Sequence, residues 1–195
     1  MRKINRSFEN PIDNIILDIG IETLPMFKGL GFTPNGLTTV SLIFGLMSVY
    51  SLFYKSNMLF AVYYLISYFF DSIDGLMARK YNMVSKFGDM YDHIKDCFVF
   101  SLIIIVLLYK YPFNKNILLY SLIAISYILS LIHLDCQEKI YGKSNESSFL
   151  GMLGGLCTGK NTNLEKKTKI TRYFGIGTAT LILVIVPFYL KSKRR

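Results

Sequence analysis

Four aspartates lie beside long apolar segments, where a chain of this composition can least easily hold charge. Asp71 and Asp74 follow one apolar run, and Asp92 and Asp96 precede the next. In a helix, a spacing of three or four residues places each pair on one face. Carboxylate oxygens are the ligands that Mg²⁺, Mn²⁺ and Ca²⁺ accept. The pattern therefore predicts two helices that bring the four acids together around one or two divalent cations.

The free-energy cost of leaving these acids unpaired in a membrane indicates that a cation binds to them. A charged residue at the bilayer centre costs about 2.5 to 3.5 kcal/mol, so four would approach roughly 10 to 14 kcal/mol, and facing carboxylates also repel one another. Arg79 and Lys95 are candidate counter-ions, but we expect Lys95 to lie off the face that Asp92 and Asp96 share. A divalent cation is the better partner, and two metals about 3.5 to 4 Å apart would hold a diphosphate for displacement at phosphorus.

Three small residues accompany the acids. Gly75 and Ala78 adjoin the first pair, and Gly88 lies one helical turn before Asp92. A residue with little or no side chain permits the close approach of a phosphate or a flat base, and it equally permits close helix packing. Both interpretations stay open for each position.

The rest of the chain must place these residues in a membrane. Of its 195 residues, 52% are hydrophobic and only 18% are charged, and the apolar residues form long runs that are apolar on all faces. The formal net charge of +9 comes from basic clusters beside these runs, which favours anionic lipid headgroups over nucleic acid as the partner. Cys97, Cys136 and Cys157 have no metal-binding spacing and are interpreted as free thiols or packing residues.

We predict an all-α, polytopic transmembrane helix bundle. Residues 1–35 are expected to form an interfacial amphipathic segment, and residues 36–195 the membrane domain. Clear spans are predicted at residues 37–54, 58–79, 87–109, 117–134 and 173–190, and the short, Gly-rich stretch 147–159 is a weaker one, so that six spans are favoured and five remain open. The bias of lysine and arginine places the N-terminus and the acids on the cytoplasmic side.

At this point the spacing is recognisable. Asp71-x-x-Asp74-Gly75-x-x-Ala78-Arg79, eight residues, and Gly88-x-x-x-Asp92-x-x-x-Asp96 resemble the signature of the CDP-alcohol phosphatidyltransferase family at every defined position. The resemblance extends more loosely to residues 33–38, TPNGLT, and to the spacing of the first four spans. The family topology is the reason for favouring six spans here.

The resemblance implies a six-helix membrane enzyme that cleaves a CDP-linked donor, transfers its phosphoryl-bearing half to an alcohol and releases CMP. It implies that Asp71, Asp74 and Asp92 bind Mg²⁺ or Mn²⁺, and that Asp96 joins a second metal position and acts as the base toward the acceptor hydroxyl. The residues that would surround the nucleotide and its diphosphate are Gly75, Ala78, Arg79, Gly88 and Asn35. Homodimers are common among similar proteins.

Substrate choice leaves alternatives. Family members of this length resemble enzymes that use CDP-diacylglycerol and a small polar alcohol such as inositol phosphate, glycerol phosphate or serine, and this is the primary hypothesis. The adjacent residues Asp92 and His93 also resemble an Asp-His pair in the sequences of choline and ethanolamine phosphotransferases, which use a CDP-amino-alcohol and diacylglycerol. A non-enzymatic divalent-cation transport protein is the remote alternative, although it predicts polar residues continuing through spans that are mostly apolar.

Overall fold

All regular structure in the described part of the chain is helical, as the sequence predicts. The structure is a computed structural model, and it describes residues 2, 4–54, 56–141, 157 and 161–191. The α-helices are α1 (Pro11–Gly29), α2 (Pro34–Phe53), α3 (Asn57–Lys80), α4 (Lys86–Lys110), α5 (Ile117–Tyr141), α6 (Asn161–Thr171) and α7 (Ile176–Ile185). Short 3-10 turns lie at Phe113–Lys115, Arg172–Phe174 and Val186–Phe188.

Local sequence signals fix where α2, α3 and α4 begin. Thr33, Ser56 and Ser85 are the N-cap residues, and each side-chain oxygen accepts a hydrogen bond from the backbone N–H three residues later. Gly31, with φ of 83°, turns the chain before α2, and Asn82, with φ of 55°, turns it between α3 and α4. These turns and caps keep the acid-bearing halves of α3 and α4 close together along the chain.

Four helical stretches are long and apolar enough to cross a membrane: Pro34–Phe53, Asn57–Lys80, Ile117–Ile140 and Asn163–Phe188. The last begins ten residues before the predicted span, because the polar α6 and a 3-10 turn run directly into the apolar α7. Helix α4 has 25 residues, but Asp92, Lys95 and Asp96 lower its apolar character. The predicted stretch 147–159 lies outside the described residues apart from Cys157, so six spans stay a prediction.

The chain forms two compact units, and the first contains the predicted site. Its described residues are 2, 16–54, 56–120 and 183–191. Helix α2 packs against both α3 and α4, which adds a third helix to the pair expected to enclose the acids. A Cβ at Gly45 would lie 3.0 Å from Val99 Cγ2, so this glycine allows α2 to approach α4 closely. The apolar core beside the site consists of Leu24, Leu37, Ile73, Leu76 and Met77.

The second unit is held by what we call the amide cluster, formed by Asn10, His133 and Gln137 with their hydrogen-bond partners. The described residues of this unit are 4–15, 121–141, 157 and 161–182. Asn10 Nδ2 donates to Arg172 O at 2.7 Å and to Thr178 Oγ1 at 2.9 Å. His133 Nδ1 lies 3.0 Å from Thr171 Oγ1, and Gln137 Nε2 donates to Phe8 O at 3.0 Å. Buried side chains therefore tie residues just before α1 to this unit.

The cysteine interpretation was wrong for two of the three residues. Cys136 and Cys157 form a disulfide with a Cα to Cα distance of 5.2 Å, whereas Cys97 is exposed and free. Next to the disulfide, Asp135 Oδ2 accepts from Cys157 N at 2.8 Å and from Lys139 Nζ at 3.0 Å. The sequence gives no sign of this pairing, because folding alone brings together residues 21 positions apart.

Candidate active site

Three of the four predicted metal ligands meet in the structure. One carboxylate oxygen each from Asp71 and Asp74 on α3 and from Asp92 on α4 lie within 4.8 Å of one another. Asp74 is buried, and the other two are half-buried. We call Asp71, Asp74 and Asp92, together with Asp96, the acid cluster. The two helices thus bring their acids together as the spacing predicted.

Helix α2 orients one of these carboxylates. Thr38 Oγ1 donates to Asp74 Oδ2 at 2.6 Å, and both side chains are buried. A short hydrogen bond to a carboxylate inside a protein fixes the direction of its lone pairs. Thr38 is therefore a positioning residue for Asp74, supplied by the TPNGLT segment at the beginning of α2.

Lys95 lies inside the acid cluster, which corrects the expectation that it points away. It is only 4% exposed, and its Nζ lies 3.1 Å from Asp92 Oδ1 and 2.7 Å from Asp96 Oδ1 while also pairing with Asp71. Lys95 is three residues after Asp92, which shares a helix face with it, and its long flexible stem carries the charge across to α3. The expectation that Lys95 lies off the face shared by Asp92 and Asp96 failed because helical spacing gives only the direction in which a side chain leaves the backbone, and the long lysine stem bends back toward the acids.

Asp96 differs from the other three acids. Its side chain is 53% exposed, and it pairs with Lys95. It also lines a small cavity of about 30 Å³, whose other lining residues are Ser41, Tyr64, Ser67, Tyr68, Asp71, Lys95 and Val99. An exposed carboxylate beside a cavity is suited to meet a substrate hydroxyl, whereas the triad of Asp71, Asp74 and Asp92 is better enclosed.

The predicted nucleotide-side residues lie close to the acid-bearing helices. A Cβ at Gly88 would lie 2.8 Å from Asn35 Oδ1, so the absence of a side chain lets the beginnings of α2 and α4 approach each other. A Cβ at Gly75 would lie 3.1 Å from Arg79 Nη1, so the guanidinium of Arg79 folds over this glycine. Ala78 is half-buried on the same helix. At Gly75 and Gly88, the small residue makes room for a neighbouring polar side chain.

The donor set fits a divalent cation. Three carboxylate oxygens converge, and the buried Asp92 Oδ1 has the Lys95 ammonium at 3.1 Å but accepts no well-oriented hydrogen bond from the part of the chain that the structure describes. One lysine shared among several carboxylates leaves this oxygen poorly hydrogen-bonded, so a cation with access to its lone pairs would stabilise it. Hard oxygen ligands of this kind are those that Mg²⁺ and Mn²⁺ accept.

Sequence reasoning assigned no role to Thr38 and Ser41 and understated Lys95. A signal was present on α2, where small and polar residues recur at helical spacing inside an apolar span. In membrane helices, such a stripe allows close packing and hydrogen bonds with neighbouring helices. The buried members of the stripe are Thr38, Ser41, Gly45 and Ser48.

Comparison with known proteins decides the family. The sequence profile of the CDP-alcohol phosphatidyltransferases matches residues 32–192, which contain the whole acid cluster and its three supporting helices. The chain belongs to the CDP-alcohol phosphatidyltransferase family. The four acids, whose spacing resembles the family signature, all lie in the matched region, on α3 and α4.

Several individual phosphatidyltransferases are similar to the chain. It is 34% identical over 67 residues to an archaetidylinositol phosphate synthase of Pyrococcus horikoshii, covering 34% of this chain and 36% of that protein. It is 37% identical over 81 residues to a CDP-diacylglycerol–glycerol-3-phosphate 3-phosphatidyltransferase of Rickettsia felis, covering 40% and 44%. It is 29% identical over 136 residues to a CDP-diacylglycerol–serine O-phosphatidyltransferase of Bacillus subtilis, covering 66% and 73%.

These similarities differ in extent. The matched part spans less than half the length of the Pyrococcus and Rickettsia proteins, and about three quarters of the Bacillus one. No solved structure matches the chain. The family is therefore established by the profile over most of the chain, and the individual relatives add information chiefly about substrate class.

Proposed function

We propose that this protein is a metal-dependent transferase that moves a phosphatidyl group from CDP-diacylglycerol to the hydroxyl of a small polar alcohol and releases CMP. The observation that carries the proposal is the convergence of Asp71, Asp74 and Asp92 within the region matched by the family. Its reactants, a CDP-linked lipid and an alcohol, meet at the membrane that the apolar helices are suited to cross.

Each acid has an assigned role. Asp71, Asp74 and Asp92 would hold Mg²⁺ or Mn²⁺, and Asp96 would join a second metal position. A metal bound there supplies positive charge to the diphosphate and to the departing CMP phosphate. Thr38 keeps Asp74 in its orientation through the 2.6 Å hydrogen bond. On the nucleotide side, the proposed residues are Asn35, Gly75, Ala78, Arg79 and Gly88.

Proton transfer falls to Asp96. In the proposed reaction the acceptor oxygen forms a bond to the phosphorus of the phosphatidyl group, the bond from that phosphorus to the CMP oxygen breaks, and the hydroxyl proton passes to a carboxylate. Asp96 supports this role because it is the exposed member of the acid cluster and lies at the cavity. A general base must reach the hydroxyl whose proton it takes.

The substrate class is supported by the relatives. Two of those described above carry names that state CDP-diacylglycerol as donor, with glycerol-3-phosphate or serine as acceptor. We extend that donor to this chain and leave the acceptor to a panel of alcohols. The same proposal includes six spans, an interfacial segment at residues 1–35 before a membrane domain at 36–195, an acid cluster facing the cytoplasm, and a homodimer.

A transfer assay tests the proposal. Purified protein in detergent is supplied with radiolabelled CDP-diacylglycerol, Mg²⁺ or Mn²⁺, and inositol phosphate, glycerol phosphate or serine, and CMP release is measured. We expect release with one acceptor and its loss in EDTA. Asp89→Asn is the matched control for acid-cluster variants, because Asp89 is an exposed acid on the same helix. Metal-independent release would contradict the metal role, and transfer only from CDP-choline or CDP-ethanolamine to diacylglycerol would replace the donor assignment.

A further inference from the structure

Lys95 places its ammonium inside the acid cluster, where it pairs with Asp71, Asp92 and Asp96, and the proposed reaction gives it no role. We propose that Lys95 is a tethered counter-cation, which occupies the carboxylates in the metal-free protein and must withdraw when a divalent metal binds. By this competition it sets the metal affinity of the site. The inference rests on the proposed metal-dependent function.

The contacts of Lys95 coincide with those a metal would need. Its Nζ pairs with Asp71 and lies 3.1 Å from Asp92 Oδ1, and both acids belong to the triad whose oxygens converge within 4.8 Å. An ammonium and a divalent cation only a few ångströms apart repel each other strongly in a partly buried site. Both cannot keep their closest contacts with the same oxygens at once.

The acid cluster carries enough negative charge to bind a divalent cation while the Lys95 ammonium stays nearby. Four carboxylates and one ammonium leave three formal negative charges in excess, so the ammonium alone does not neutralise the acid cluster. A divalent cation would remove most of that excess. Replacing Lys95 by a neutral residue leaves the full repulsion among the acids in the metal-free state, and metal binding then relieves more of it.

A place for the withdrawn ammonium exists on α2. Ser41 Oγ lies 3.3 Å from Lys95 Nζ and donates its hydrogen to Ser67 O at 2.9 Å, so its lone pairs remain available to accept from Lys95. Both serines are buried. The flexible four-carbon stem of lysine lets its charge move while the helix backbone stays in place.

The decisive experiment measures Mn²⁺ binding without any CDP substrate. Free Mn²⁺ is followed by electron paramagnetic resonance during titration of the full chain in detergent, for wild type, Lys95→Met and Lys95→Gln. We expect both variants to bind Mn²⁺ at least about tenfold more tightly, because a competing positive charge is gone. Lys86→Met, the same change at an exposed lysine of α4, should bind Mn²⁺ as wild type does.

A second measurement remains usable when a variant is unstable without metal. Thermal unfolding in EDTA and in Mn²⁺ should differ by more in Lys95→Gln than in wild type, because the metal-free state alone has lost its counter-ion. Variants purified in Mn²⁺ that unfold when EDTA is added would agree with this. An equal drop in melting temperature under both conditions would overturn the inference by showing a purely structural role.

The outcomes separate this inference from the proposed function. Unchanged or weaker Mn²⁺ binding in both Lys95 variants, with metal-dependent CMP release in wild type, overturns the counter-cation role alone. Weaker binding would show instead that Lys95 supports the bound state. Absence of Mn²⁺ binding in wild type overturns the proposed metal site and this inference together.

Discussion

The two clusters of buried polar side chains differ in how their hydrogen bonds and charges are satisfied. In the amide cluster, Asn10 donates twice through Nδ2 and accepts from Ile12 N through Oδ1 at 2.9 Å, so a neutral group has its full set of partners. In the acid cluster, the buried Lys95 is shared by Asp71, Asp92 and Asp96, and it lies 3.1 Å from Asp92 Oδ1 without a well-oriented hydrogen bond.

This contrast separates structural polarity from functional polarity. A buried neutral network that is fully hydrogen-bonded contributes rigidity and requires no ligand. An excess of like charge around a poorly hydrogen-bonded acceptor lowers the stability of the ligand-free protein and favours the binding of a cation. One buried donor in the amide-containing unit, Arg172 Nε, also lacks a partner among the described residues, but the same guanidinium donates to Ser7 O at 2.7 Å. Among the described residues, the group of acids that could hold a metal lies at Asp71, Asp74 and Asp92 and not around Arg172.

The largest expected effect comes from neutralising Asp92. Asp92→Asn removes a triad carboxylate, and we expect CMP release to fall by about three orders of magnitude or more because a metal ligand is lost. The melting temperature in EDTA should stay the same or rise, since a repelling charge is gone. Near-normal release with metal dependence intact would contradict the ligand role, and Asp89→Asn should retain activity.

Asp96→Asn should separate proton transfer from binding. We expect turnover to fall by about 10² to 10⁴, the usual contribution of a general base, while CDP-diacylglycerol binding changes little. Single-turnover CMP release and equilibrium binding of the labelled donor measure the two effects separately. If donor binding is lost in parallel with turnover, Asp96 holds the donor rather than receiving a proton.

The helices that carry the acid cluster could be predicted from the sequence, because they depend on local features of the chain. The helix bounds predicted at 37–54, 58–79 and 87–109 match α2, α3 and α4 within a few residues, because apolar runs and Ser or Thr caps are local signals. Of these three helices, α2 and α3 are among the stretches apolar enough to cross a membrane, and α4 is not. The helix faces that carry the four acids could be predicted as well, because the spacing of residues along a helix determines which of them share a face. The position of Lys95 and the Cys136–Cys157 disulfide could not be predicted, because each depends on where another segment lies after folding.

The amide cluster provides the opposite test, in which stability changes and activity does not. Asn10→Ala removes, at a buried position, the donor to Arg172 O and Thr178 Oγ1 and the acceptor of Ile12 N, and we expect a loss of about 2 kcal/mol in the free energy of unfolding. CMP release per folded molecule should be unchanged. Asn163→Ala, at an exposed asparagine of α6 in the same unit, should leave unfolding nearly unaffected. A strong loss of specific activity in Asn10→Ala would remove the distinction between the two clusters.

The smallest expected effect concerns Thr38. Like the amide cluster it is neutral and hydrogen-bonded, but its partner is Asp74 of the acid cluster. Thr38→Val keeps the shape of the side chain and removes the hydrogen bond to Asp74 Oδ2. We expect Mn²⁺ affinity to weaken about tenfold, since hydrogen-bond partners of metal ligands typically contribute this much. Thr39→Val is the matched control, because Thr39 is the adjacent, exposed threonine, whose Oγ1 lies 3.1 Å from the Tyr91 hydroxyl. Equal Mn²⁺ affinity in both variants and wild type would mean that α3 alone orients Asp74 and that α2 contributes packing only.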